Sequence, residues 1–142
     1  MTPLEKLVKP ILKASLMALS TAMTMAASPQ PGTTLQGFWR NPKGTVEVQI
    51  DTCGNAMCGT VVAASPSAVA DARDSGYPSL VGMQLLYGYH AAGPDEWRGT
   101  IFVPDIGRSF SSHIQLVDAD HVRVSGCLVG KFLCKSQLWR RA

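Results

Sequence analysis

Apolar and polar residues alternate along most of the chain that follows residue 36. Val46, Val48 and Ile50 fall on one side of an extended backbone, while the polar residues between them fall on the other. A period of two indicates a β-strand with one buried face. Counting such segments predicts about eight strands, near residues 36–40, 45–51, 58–63, 81–89, 96–103, 108–117, 121–127 and 133–141.

Turn-forming residues separate most of these segments. The tetrads Asn-Pro-Lys-Gly at 41–44 and Pro-Asp-Ile-Gly at 104–107 place proline, glycine and polar side chains where tight turns prefer them. Asp-Ala-Asp at 118–120 predicts a further hairpin turn. Residues 64–79 are the exception, because they are long and rich in Ala, Ser, Pro and Asp. We expect a loop there, with room for one short helical turn.

Eight sequential strands with short connections predict an all-β domain, folded as an antiparallel up-and-down barrel. Closing the sheet on itself removes the exposed edges that an open sheet would leave. A β-sandwich is the competing architecture, but it relies on long crossover connections, and only residues 64–79 are long enough to form one. The interior of an eight-stranded barrel is just wide enough to be filled by side chains or to hold one small ligand.

The first 26 residues differ in composition from the rest. Three lysines precede an uncharged run at 14–27 that ends in small residues. This order is typical of a cleavable signal peptide. A membrane anchor is the alternative, but the 14-residue run is shorter than the roughly 20 residues needed to span a bilayer. We therefore divide the chain into a signal peptide, a linker and a barrel domain, at residues 1–26, 27–35 and 36–142.

The leader also predicts where the protein works and what it does not bind. No cysteine lies near the expected cleavage region, so a lipid anchor is not predicted. We expect a periplasmic or secreted domain without a transmembrane segment after processing. The formal net charge is +3, and the three lysines and single glutamate of the leader account for most of it. A nearly neutral folded part disfavours nucleic acid as a partner.

All four cysteines follow the leader, at Cys53, Cys58, Cys127 and Cys134. An even number of cysteines in an exported domain favours disulfides. Three pairings are possible, and the local one, Cys53–Cys58 with Cys127–Cys134, needs no assumption about distant contacts. A structural zinc site is the alternative, but these spacings fit the usual ligand patterns poorly.

Several short motifs occur in an order that resembles a known family. They are Gly-Phe-Trp at 37–39, Cys-Gly at 53–54 and 58–59, Trp-Arg-Gly at 97–99, Pro-Asp-Ile-Gly-Arg at 104–108, Val-Ser-Gly-Cys-Leu at 124–128 and Cys-Lys-Ser-Gln-Leu-Trp-Arg-Arg at 134–141. Together they resemble the bacterial exported family called domain of unknown function 2147, over about residues 36–141. The resemblance implies a lipocalin-like barrel in the periplasm or outside the cell, and it implies no established activity.

The Gly-x-Trp opening also resembles the start of lipocalin-like barrels in general. There, a basic side chain from the last strand covers a tryptophan at the closed end. The resemblance assigns these two roles to Arg141 and Trp39. A guanidinium over an indole stabilises the fold by roughly 0.5 to 2 kcal/mol. The pair is therefore a structural device that closes the barrel, and no chemistry follows from it.

Residues that could support catalysis are few and scattered. His90, His113 and His121 form no metal-ligand spacing with one another, and Glu47 and Glu96 suggest no acid–base pair. The serines beside His113 are its strand neighbours, and adjacent strand residues point to opposite faces. No phosphate-binding loop is present. We predict no catalytic, cofactor-binding or metal site, and a protein that is not an enzyme.

Two strand faces predict the lining of any internal cavity. They alternate with polar positions that should face water, and their inward residues are Phe110, Ser112, Ile114, Leu116, Val122 and Val124. An interior of this kind suits a small lipophilic or amphipathic ligand, which we expect to enter opposite Trp39. The alternative is an envelope protein that binds a partner or assists assembly through its outer surface. A cavity would favour the first function, and an exposed apolar patch the second.

Overall fold

The computed structural model describes Ala22, residues 35–129 and residues 132–142. The predicted signal peptide (1–26) and linker (27–35) lie outside these described residues, except for Ala22 and Leu35. Leu35 is fully buried and belongs to the hydrophobic core. The packed domain therefore includes the residue before the predicted boundary at 36.

Eight antiparallel strands form a closed barrel in which each strand pairs with the next and the last pairs with the first. They are β1 (Gly37–Arg40), β2 (Val46–Cys53), β3 (Ala56–Ala64), β4 (Gln84–Gly93), β5 (Glu96–Val103), β6 (Arg108–Asp118), β7 (His121–Val129) and β8 (Phe132–Arg141). The predicted fold is confirmed, both in strand number and in up-and-down topology.

The connections alternate between the two ends of the barrel, because successive strands run in opposite directions. One end carries the tight turns at 54–55, 94–95 and 119–120, and we call it the closed end. The other end carries longer connections, and we call it the mouth. These are the β1–β2 turn (41–45), the segment between β3 and β4 and the connection that holds the 3-10 turn Pro104–Ile106.

The segment between β3 and β4 holds a nine-residue helix, α1 (Pro66–Asp74), which is longer than the single turn expected there. Ser65 caps it, since the serine hydroxyl accepts a hydrogen bond of 3.2 Å from the amide of Ala68. Pro66 occupies the first helical position, where proline loses no hydrogen bond. The hydroxyl of Ser75, just after the helix, donates to the carbonyl of Asp105 at 2.9 Å. The helix is thereby fixed beside the 3-10 turn at the mouth.

Large side chains fill the barrel toward its closed end. Those that are almost completely buried are Leu35, Trp39, Val48, Val61, Leu86, Tyr89, Ile114 and Val122. The ring of Tyr89 lies on Gly99, where an added Cβ would be 2.7 Å from the ring carbons and 2.6 Å from the carbonyl oxygen of Tyr87. Only glycine at position 99 admits this packing, so the ring of Tyr89 lies directly against the backbone of β5.

No helix in the described part of the chain is both long enough and apolar enough to span a bilayer.

Candidate functional site

Trp39 and Arg141 meet at the closed end. The Cζ of Arg141 lies 4.2 Å from the centroid of the Trp39 ring, within the range of a cation–π interaction. The Arg141 guanidinium also donates to the carbonyls of Ala119 and Gln36, at 2.9 and 3.1 Å. The indole nitrogen of Trp39 donates to the Leu35 carbonyl at 2.9 Å. These contacts connect β1, β8 and the turn between β6 and β7, and they cover this end of the barrel.

Both disulfides have the predicted local pairing. Cys53–Cys58 links β2 to β3 beside the turn at the closed end. Cys127–Cys134 links β7 to β8 near the mouth, where the two residues are direct cross-strand partners. No cysteine is left free to ligate zinc.

A cavity of about 960 Å³ occupies the mouth. Its walls come from the β1–β2 turn, α1, the 3-10 turn and the inner faces of β4 to β8. Most of the lining is apolar and includes Leu85, Ile101, Phe102, Phe110, Val124 and Trp139. This volume lies at the upper end of the range of about 300 to 1,000 Å³ that is typical of small-molecule sites.

The cavity is open on one side because β1 is much shorter than β8. The two strands pair at only two positions, Trp39 with Arg141 and Arg40 with Arg140. Among the described residues, residues 132–138 of β8 have no strand partner other than β7, and all seven are exposed. Residues of the β1–β2 turn line the cavity together with the inward residues of β8, on the two sides of this gap in strand pairing.

Two of the six predicted lining residues, Phe110 and Val124, line the mouth cavity. The other four do not, which corrects the expectation for Ser112, Ile114, Leu116 and Val122. Ser112, Ile114 and Val122 are buried in the solid part of the barrel, whereas Leu116 borders a smaller depression of about 340 Å³ at the closed end. Alternation along a strand identifies the residues that face inward, but it does not indicate how far along the barrel axis each of them lies.

The inward face of β8 was missed by the sequence analysis. Lys135, Gln137 and Trp139 all line the cavity. The signal was present, because Arg141 must face inward to cover Trp39, and every second residue before it then faces inward too. Lys43, from the β1–β2 turn, is a second cavity residue that no strand pattern could have indicated.

The buried hydroxyls of Tyr89 and Ser112 lie near each other, but within the described part of the chain neither meets the full geometry of a hydrogen bond. Burial raises the pKa of the Tyr89 phenol strongly, and the nearby Ser112 hydroxyl opposes this effect in part. Tyr89 therefore keeps its proton at physiological pH.

His121 contacts Asp118 at 2.9 Å, at the closed end and away from the cavity. Within the described residues, no three side chains of metal-ligating type come together. The arrangement provides a shaped apolar space, with a few polar groups, at one end of a rigid barrel.

Fold and site together define a class: a small antiparallel barrel that is plugged at one end and holds a cavity at the other. The family follows from the sequence. Residues 37–141 match the family described as "Uncharacterized protein conserved in bacteria (DUF2147)", and the chain belongs to it. No curated protein and no solved structure gives a significant match.

Proposed function

We propose that this domain is a non-enzymatic binding module that holds a small lipophilic or amphipathic molecule in its mouth cavity. The observation that carries the proposal is the cavity of about 960 Å³ with a mainly apolar lining. Burial of apolar ligand surface would supply the affinity, at about 25 cal/mol per Å². Access is from the mouth and along β8, since Trp39 and Arg141 block the other end.

Titration with the neutral dye N-phenyl-1-naphthylamine tests this function. We expect its fluorescence to rise on binding, with a dissociation constant of about micromolar order. Gly126 lines the cavity, and a Cβ there would make an ordinary contact of 3.5 Å with Ile101. Gly126→Leu should therefore fold while filling the space, and it should weaken dye binding at least about tenfold.

Arg123→Leu is the matched control, because it adds a leucine to the same strand on the exposed outer face. It should leave dye affinity unchanged. If wild-type protein binds neither the dye nor fatty acids at micromolar levels, the binding function is wrong. If Arg123→Leu is as damaging as Gly126→Leu, the dye reports a surface site and not the cavity.

A second candidate function, docking of a partner protein through the outer surface, is favoured by the β7–β8 hairpin. Val129 and Phe132, which are cross-strand partners, are exposed by 61 and 74%. Exposed apolar side chains that lie side by side often mark interaction sites. A photoreactive residue at Phe132 should then cross-link to a defined partner in cells, whereas one at the exposed Ser111 should not.

We infer that the domain is exported, which accords with its two disulfides and with the basic, then uncharged, leader. N-terminal sequencing of envelope material should find Ala27 or Ser28 as the first residue. Recovery of Met1 or Thr2 from the membrane fraction would replace the signal peptide with an anchor.

A further inference from the structure

Four charged residues line the mouth cavity, two lysines and two aspartates. Lys43 lies in the β1–β2 turn, and Lys135 lies on β8, so both flank the opening where β8 leaves β1. Asp71 comes from α1, and Asp105 comes from the 3-10 turn.

The surroundings of Lys135 leave room for a guest. Its cross-strand neighbour is Gly126, which has no side chain to occupy the adjacent inward position. On the other side of β8, the described residues offer no β1 partner at this level. The lysine thus lies on the border between the apolar lumen and solvent, where an ammonium can meet a charged group without full desolvation.

No carboxylate of the described residues neutralises either lysine. The ion pairs among the described residues join Arg40 to Glu47 and His121 to Asp118. A third cation lies near the same turn, because a Cβ placed on Gly44 would be 3.5 Å from an Nη atom of Arg140. The opening along β8 is therefore bordered by Lys43 and Lys135, with Arg140 near the same turn.

We propose that Lys43 and Lys135, which we call the basic rim, bind the anionic head group of an amphiphile whose apolar part lies against Phe110, Val124 and Trp139. The inference rests on the proposed binding function and specifies its ligand class: a monoanion, carboxylate or sulfonate in type, with one apolar moiety. A lysine ammonium recognises such a group as a point charge, without a demand for bidentate geometry.

Two dyes with the same skeleton provide the test. N-phenyl-1-naphthylamine is neutral, and 8-anilinonaphthalene-1-sulfonate adds one sulfonate. We expect the double variant Lys43→Gln/Lys135→Gln to bind the sulfonate about tenfold more weakly, as two partly solvated charge contacts are lost. Its affinity for the neutral dye should change less than about twofold. Dodecanoate should displace the sulfonate dye from wild-type protein better than dodecyltrimethylammonium does.

The matched control removes two positive charges from the outer surface. Arg98→Gln/Arg123→Gln, at two exposed strand positions outside the cavity lining, should not weaken sulfonate binding. The proposal is overturned if the lysine variant loses both dyes equally, or if the arginine variant loses the sulfonate. Binding of neither dye by wild-type protein would remove the binding function itself, and binding of the neutral dye alone would remove only this inference.

A different role for Lys135 is to keep the exposed edge of β8 from pairing with another chain, as charged side chains on edge strands often do. Size-exclusion chromatography separates the two roles. Self-association of the Lys135→Gln variant with unchanged sulfonate affinity would assign Lys135 to edge protection and overturn the proposal. A monomeric variant with selective loss of the anion supports the basic rim.

Discussion

The same alternating strands form both ends of the barrel, but side chains cover one end and a cavity occupies the other. At the closed end, Trp39 is fully buried, and Arg141 extends from its ring to the carbonyl of Ala119. At the mouth, seven consecutive residues of β8 are exposed beside a cavity of about 960 Å³. The difference shows that the contacts which complete the barrel are concentrated at one end. Substitutions there should affect stability, and substitutions at the mouth should affect binding.

The largest expected difference concerns large-to-small substitutions. Trp39→Ala removes a fully buried ring and should lower the free energy of unfolding by about 3 to 5 kcal/mol. Phe110→Ala removes a half-buried ring at the mouth and should lower the free energy of unfolding by about 1 to 2 kcal/mol. Urea denaturation of both variants measures the difference. Equal losses would show that the mouth is as tightly packed as the closed end.

Removing the disulfides sharpens the comparison, because the two loops are of similar length, with sequence separations of 5 and 7. Replacement of either cysteine pair by serine should cost about 2 to 2.5 kcal/mol. Only loss of Cys127–Cys134, beside the cavity, should also weaken dye binding. The same effect from loss of Cys53–Cys58 would contradict the division between the ends.

Arg141→Ala should destabilise the closed end by about 1 to 2 kcal/mol, through loss of the contact with Trp39 and of packing. Arg140→Ala, on the exposed neighbouring residue, is the control and should change stability by less than about 0.5 kcal/mol. Thermal or urea unfolding is sufficient as the measurement. A harmless Arg141→Ala would mean that strand pairing closes the barrel without help from the cation.

The smallest effect is expected from Asp118 in the turn at the closed end. The backbone amide of Asp120, and then His121, lower the pKa of this carboxyl below its ordinary value of 3.8. Its stabilising contribution is therefore complete above about pH 4 and is lost as the pH falls through the lower folded-state pKa. Melting temperatures of wild type and Asp118→Asn should converge on acidification. A constant difference from pH 6 to pH 2.5 would show that the turn does not depend on this charge.

Much of the fold could be predicted because alternation is a local property. β5 occupies the predicted residues 96–103, and the other strands differ from their predicted bounds by a few residues. Helix α1 was underestimated although its start was visible: Ser65 followed by Pro66 is a typical cap and first position. The composition of residues 64–79 had indicated a loop, and the capping signal was the better guide.

The site could be predicted less well, for a reason that Lys135 illustrates. Its inward orientation follows from the register of β8, but its place in a cavity depends on how far β1 extends beside that strand. This pairing joins residues that are far apart in the sequence, so no local pattern encodes it. The same holds for Ser112, which faces inward as predicted yet lies below the cavity.

β1 has four residues, whereas its neighbour β8 has ten. This difference in length has a consequence for how the barrel could be remodelled. Insertion of two or more strand-forming residues at the β1–β2 turn would prolong the ladder along β8, one residue pair at a time. The width of the lateral gap would shrink in steps while Trp39, Tyr89 and the rest of the interior stayed unchanged. The width of this gap could therefore change independently of the interior, through the length of the β1–β2 turn. Natural sequences accept insertions most readily in surface turns.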